Sequence, residues 1–220
     1  MCFSPEGDLA GGVVVTAIGI DAWRQLRGRR DEWFLAMVPL VLGAHLLIEA
    51  FVWWGLDGTV SPTVGRAAMW AYLLIAMVVV PVLAPVAIMR LEPQRRRRRL
   101  MAGCVAIGVG VAAVLGATML RGPVSVRSGS YHLAYSIGLR SGYVVVGLYV
   151  VATCTPLLLS SYRHIVVFGV VNLAVVLVLT RLTADGFTSL WCFYAAVACG
   201  AISLHLRHGR THRGRPWAWS

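Results

Sequence analysis

Residues 33–54 read WFLAMVPLVLGAHLLIEAFVWW, with one carboxylate, Glu49, one imidazole, His45, and no arginine. A helix needs about 20 mostly apolar residues to cross the roughly 30 Å hydrocarbon layer of a bilayer. This stretch has that length. In lipid it has to be helical, because only a helix or a closed barrel satisfies its own backbone polar groups there. Tryptophans stand at both ends, Trp33 at one and Trp53 and Trp54 at the other. That is the aromatic belt expected at membrane interfaces.

Six further stretches follow the same rule. The pattern predicts an all-α, polytopic membrane bundle of seven transmembrane helices in one domain over 1–220. The spans fall at about 5–26, 33–54, 65–90, 100–120, 139–160, 163–182 and 186–206, with a tail over 207–220. The composition agrees. Of 220 residues, 58% are hydrophobic and only 13% are charged, and mean hydropathy is +0.74. A soluble domain carries about 25% charged residues, so an ordinary soluble enzyme, a disordered chain and a fibrous protein are excluded. The first span opens on Ser4 as N-cap, Pro5 at the first helical position, and Glu6 and Asp8 near the positive helix end. No basic stretch precedes it, so it reads as a span rather than a secretory signal.

The net charge of +11 comes from twenty basic residues, all arginine, against nine acidic ones. The arginines lie in short connections, so nucleic acid is not the expected partner; the bilayer is. Four follow the first span, six follow the third, one follows the fifth and four lie in the tail. That places fifteen on one side and five on the other. The positive-inside rule then puts the N-terminus outside and the C-terminus in the cytoplasm. The run Arg95, Arg96, Arg97, Arg98 and Arg99 reads first as a topology anchor and second as a site for anionic lipid head groups.

Helix packing has visible signals. Cys104, Gly108, Ala112 and Gly116 put a small residue at every fourth position, as do Ala196 and Gly200, and such stripes let helices approach closely. Pro81, Pro85 and Pro156 are expected to kink their spans. The connection 121–138, with Tyr131, His132 and Tyr135, is too long for an unstructured link and is expected to fold over the outer mouth of the bundle.

Polar residues inside lipid are costly and point to function by default. Glu49 and His45 are four apart, hence on one helical face. Glu49 lies roughly 7–8 Å below the outer boundary, and His45 about 6 Å deeper, at the helical rise. Such a pair binds a metal, relays protons or locks two helices together. Asp21 reads as a local or interfacial partner of Arg24. The five cysteines form no C-x-x-C pair. Cys2 sits at the outer rim, where loss of Met1 would expose an amine and a thiol on one residue. Asp185 reads as an N-cap for the seventh span, which carries Trp191 and Cys192 in its outer third. His205, His208 and His212 lie toward the cytoplasm.

The opening Met1-Cys2-Phe3-Ser4 resembles that of an uncharacterised family of bacterial integral membrane proteins whose chains begin Met-Cys-Phe-Ser. The resemblance extends to Glu49 with Trp53, His132 with Tyr135, Ala152-Thr153, the stretch from Pro156 to Ser161, and Trp191-Cys192-Phe193. It spans nearly the whole chain. That family commonly carries Gln at the position of His45, which makes Glu49 the better candidate. The resemblance implies one outer-facing site from Cys2, Glu49, His132, Trp191 and Cys192, with His45 beside it. It carries over no activity and no cofactor.

Two functions compete. One is binding or sensing of a small molecule or ion in that outer-facing polar pocket. The other is a metal- or thiol-dependent membrane enzyme using Cys2, Glu49 and His132, which are also the metal-ligand candidates. The chain is only loosely similar to membrane hydrolases related to alkaline ceramidase, whose helices carry several His. A transporter is disfavoured by the lack of an internal repeat. A haem protein is disfavoured because His45 has no second His at its depth.

Overall fold

A computed structural model describes residues 4–26, 30–128, 133–138, 142–182 and 198–204. Seven α-helices are defined among them: α1 (Pro5–Arg24), α2 (Trp33–Leu56), α3 (Pro62–Leu74), α4 (Val80–Leu91), α5 (Arg95–Arg121), α6 (Gly142–Leu159) and α7 (Arg163–Leu182). A hairpin, β1 (Ser125–Ser128) and β2 (Leu133–Ser136), lies between α5 and α6. Residues 198–204 are helical.

Among the described residues, four helices are long and apolar enough to cross a membrane: Trp33–Leu56, Pro62–Leu91, Arg95–Arg121 and Gly142–Leu159. They correspond to the predicted second to fifth spans. The predicted first span is helix α1, but its 20 residues include Glu6, Asp8, Asp21 and Arg24, and it is not among the four. The predicted sixth span is α7, apolar over Arg163–Val175. Most of the predicted seventh span, 186–206, lies outside the described residues.

Helix ends differ from the apolar boundaries for a simple reason. Hydropathy marks where lipid ends, whereas capping marks where a helix ends. Ser61 accepts from the Val64 amide at 3.4 Å and Pro62 takes the first helical position, so α3 starts before Gly65. The five arginines form the first turns of α5 rather than a loop, since arginine is a good helix former.

Helices α1 and α2 run antiparallel in close contact. A Cβ on Gly43 would lie 2.3 Å from Thr16 Oγ1 and 2.7 Å from the Thr16 amide nitrogen. Glycine is therefore what lets α1 lie against α2 there.

The third predicted span is one 30-residue helical rod containing a wide turn at Ile75–Val79. The Val80 amide donates to the Ile75 carbonyl, five residues back. That shift frees the Ala76 carbonyl, which accepts the Tyr149 hydroxyl of α6 at 2.9 Å. Pro81, which has no N–H, follows at once. Its carbonyl lies against Gly108 of α5, where a Cβ would come within 2.1 Å of the oxygen. The stripe residues Cys104, Gly108 and Ala112 are all buried.

The 121–138 connection folds, as its length implied. Ser125 pairs with Ser136 and Arg127 with Ala134 in an antiparallel ladder. Leu133 and Ile137 are buried in a cluster with Val52, Met69, Leu73 and Leu115, so the hairpin caps one end of the bundle. A second cluster, including Leu35, Ile88, Met101 and Leu157, fills the end near the arginine run.

The packing gives a paired expectation. Gly108→Val forces α4 and α5 apart against backbone and is expected to destabilise by about 3 kcal/mol or more. Gly103→Ala, where a Cβ meets nothing within 4 Å, is expected to be neutral or stabilising by up to about 1 kcal/mol. Thermal unfolding of the two variants in detergent checks the contrast. Equal losses would contradict the close contact.

Candidate functional site

The α1–α2 contact brings two acids together. Asp8 lies in the first turn of α1, and Glu49 lies in the last third of α2. Each is only 1% exposed. The Trp53 indole N–H donates to Asp8 Oδ2 at 3.1 Å, and Tyr72 of α3 lies beside Glu49. Asp8 Oδ1 and Glu49 Oε2 are buried with no hydrogen-bond partner among the described residues.

Three rings stack beside the acids. Tyr72 lies between His45, 3.9 Å away at 18°, and Tyr135 of β2, 4.6 Å away at 16°. His45 Nδ1 and the Tyr135 hydroxyl are likewise buried without partners among the described residues. Burial, then the charges of Glu49 and Asp8, push the Tyr135 phenol above its ordinary range, so it stays protonated. The stack joins the hairpin to the helical core.

No arginine among the described residues is bonded to either acid. An unpaired carboxylate in such a place is costly, by several kcal/mol per ion. Neutralising such a pair takes protons or positive charge, and one oxygen on each acid has no partner among the described residues. Among the described residues, no group of three or more His, Cys, Asp or Glu is placed to hold a metal ion.

Of the sequence candidates, the structure brings His45 and Glu49 onto the same ring of groups. Cys2, His132, Trp191 and Cys192 lie outside the described residues. Cys104, Cys154 and Cys199 are free and buried. Asp21 accepts from Gln25 at 3.2 Å and from Ser203 at 2.8 Å, so it ties α1 to the last described helical stretch.

Asp8 was legible only as a favourable charge at a helix start, and Trp53 only as an interface residue. A signal was nonetheless present. Both acids lie near the same end of spans joined by a short connection, so antiparallel packing puts them at one depth. Tyr72 gave no signal, because a tyrosine in a span is ordinary.

Glu92 was also missed. It is 3% exposed and accepts from the Gln94 amide at 3.1 Å and the Ser161 amide at 2.8 Å, as well as from the Ser161 hydroxyl. Arg97 donates to the Leu159 and Ser160 carbonyls at 3.2 and 2.9 Å, closing the C-terminus of α6. The Ser160-Ser161 pair is thus the joint between α4, α5, α6 and α7. The other arginines of the run are exposed.

A family described as "Family of unknown function (DUF6629)" matches residues 1–218. No curated protein matches, and no solved structure does.

Two conservative changes probe the site's hydrogen bonds. Trp53→Phe strips Asp8 of its donor and is expected to cost about 1–3 kcal/mol. Tyr135→Phe removes a hydroxyl without a partner and is expected to cost within about 0.5 kcal/mol. Thermal melts would contradict the geometry if the order were reversed.

Proposed function

The chain belongs to that DUF6629 family, whose function is unknown, and we propose from its own residues that it is a membrane protein that binds or senses a small positively charged species at the Asp8–Glu49 pair. One observation carries the reading: two carboxyls, each 1% exposed, have an unpartnered oxygen apiece among the described residues and no arginine beside them. A merely structural pair would satisfy both oxygens, because buried polar groups are otherwise bonded. The hairpin closes the site at one end, and Tyr135 links its position to the acids.

The proposed setting is the bacterial cytoplasmic membrane, with seven spans, the N-terminus outside and the C-terminus in the cytoplasm. The excess of arginine in the connections supports that orientation. It places the hairpin and the acid pair toward the outer face. Arg95, Arg96, Arg98 and Arg99, all exposed, meet anionic lipid head groups at the inner face, while Arg97 holds α6. A phosphatase reporter fused after Ser220 is expected to be inactive and a cytoplasmic reporter active. The reverse result would invert the topology.

The binding reading is tested with Asp8→Asn combined with Glu49→Gln. In chelator-treated detergent solution, wild-type melting temperature is expected to shift with pH and with added cations. The double variant is expected to fold, to be at least as stable as the stripped wild type, and to lose both responses. The gain in stability follows from removing like charges that repel in a low-dielectric site. Identical responses in the two proteins would end this reading.

A further inference from the structure

Resting on the placement of the arginine run at the inner membrane face, we propose that Arg95, Arg98 and Arg99 form a site for one membrane lipid whose head group ends in a phosphate monoester. Positions i, i+3 and i+4 share one face of a helix. With Met89 of α4 and Ala102 of α5, the three arginines line an open depression of about 400 Å³. All three are exposed, and among the described residues no carboxylate is bonded to them. Glu92, the acid next to them in sequence, is buried and turns its oxygens to Gln94 and Ser161 instead. Three like charges on one face repel one another, and at the positive end of a helix they also oppose its dipole. An anion seated among them removes both penalties.

Depth makes the partner a lipid. Arg95 to Arg99 covers about 6 Å along the helix, close to the roughly 5–8 Å of head-group layer on one side of a bilayer. The same face then turns apolar. Ala102, Ala106 and Val109 continue it at helical spacing and are exposed, so an acyl chain leaving the depression runs against short side chains. A free phosphate ion has nothing to place there. Charge and shape select the head group. Arginine meets phosphate oxygens through paired N–H groups. A phosphodiester offers two free oxygens and a single charge. A terminal phosphate offers three free oxygens and about −1.5 to −2 charges near neutral pH. Three guanidiniums on one face match the second.

The other side of the same turns is built differently. There Gln94, Arg96, Arg97, Leu100, Leu158 and Leu159 line a second depression of about 390 Å³. Arg97 is committed to the Leu159 and Ser160 carbonyls, which leaves Arg96 as the arginine open to lipid on that side. One guanidinium attracts an acidic surface without selecting a head group. The run thus divides into a lipid seat beside α4 and a clamp on α6.

The experiment uses the full chain in phosphatidylcholine nanodiscs doped with phosphatidic acid or, at matched negative charge, with phosphatidylglycerol. Native mass spectrometry counts the lipids that stay on the protein after release. Wild type is expected to keep one phosphatidic acid per chain and to prefer it over phosphatidylglycerol by roughly tenfold. Arg98→Gln, and Arg95→Gln combined with Arg99→Gln, are each expected to abolish that preference. Arg96→Gln, an equal loss of charge from the same run, is expected to leave it within about twofold. All four positions are exposed, so these variants are expected to fold, and their thermal melts check it. Inorganic phosphate at the same concentration as the lipid is expected not to displace it; displacement would overturn the lipid assignment. Equal retention of the two acidic lipids by wild type, or equal losses in Arg96→Gln and Arg98→Gln, would overturn the site, while the broader reading that the run meets anionic head groups survives. Retention of phosphatidylcholine as strongly as either acidic lipid would remove both.

Discussion

The antiparallel contact of α1 with α2 is the constraint on which the rest of the molecule depends. It exists because Gly12, Gly19 and Gly43 have no side chains where Leu47, Leu40 and Thr16 approach. At that separation, Asp8 meets the face of α2 that carries Glu49 and Trp53. Once two acids are buried together, every neighbouring group has to answer them. Trp53 turns its indole N–H to Asp8, α3 brings Tyr72 beside Glu49, and the hairpin lays Tyr135 on Tyr72. The site is thus a consequence of helix packing rather than of any local motif.

The other end of the bundle is held differently. There the polar groups are satisfied. Glu92 gathers the Gln94 and Ser161 amides, and Arg97 closes the exposed carbonyls of α6. A helix C-terminus carries partial negative charge, so the guanidinium is well placed. The contrast separates a structural polar cluster from a candidate binding one. Both are buried, but only the Asp8–Glu49 cluster leaves acceptor oxygens open. Between the two ends, the wide turn at Ile75–Val79 lets a single rod serve both. It accommodates Pro81, hands the Ala76 carbonyl to Tyr149, and keeps the backbone bonded where lipid offers no replacement.

Much of the architecture was legible in the chain. The apolar runs identify the helices α2 to α6 because a span has to exclude water along its whole length. The small-residue stripe around Gly108 marks a real contact, and the length of 121–138 marks a folded connection. Helix ends were less legible. The arginine run reads as a loop by hydropathy, yet its backbone continues α5, since nothing in the side chain of arginine opposes a helix outside lipid. Within the site, Glu49 and His45 were readable because a polar residue in a span stands out against its neighbours. Asp8, Trp53 and Tyr72 were not, because each has an ordinary role at its position.

The sequence by itself determined that this chain is a bundle of apolar helices, and that Glu49 sits where a charge is costly. Both follow from counting, since lipid penalises each polar residue and each unpaired backbone group one at a time. Only the tertiary structure decided that the partner of Glu49 is Asp8, with Trp53, Tyr72 and Tyr135 around them. That choice depends on helix rotation and on how closely the helices approach. Rotation and approach are set by which side chains are small enough to let backbones meet, across contacts 41 residues apart for Asp8 and Glu49. No local pattern in the chain encodes them.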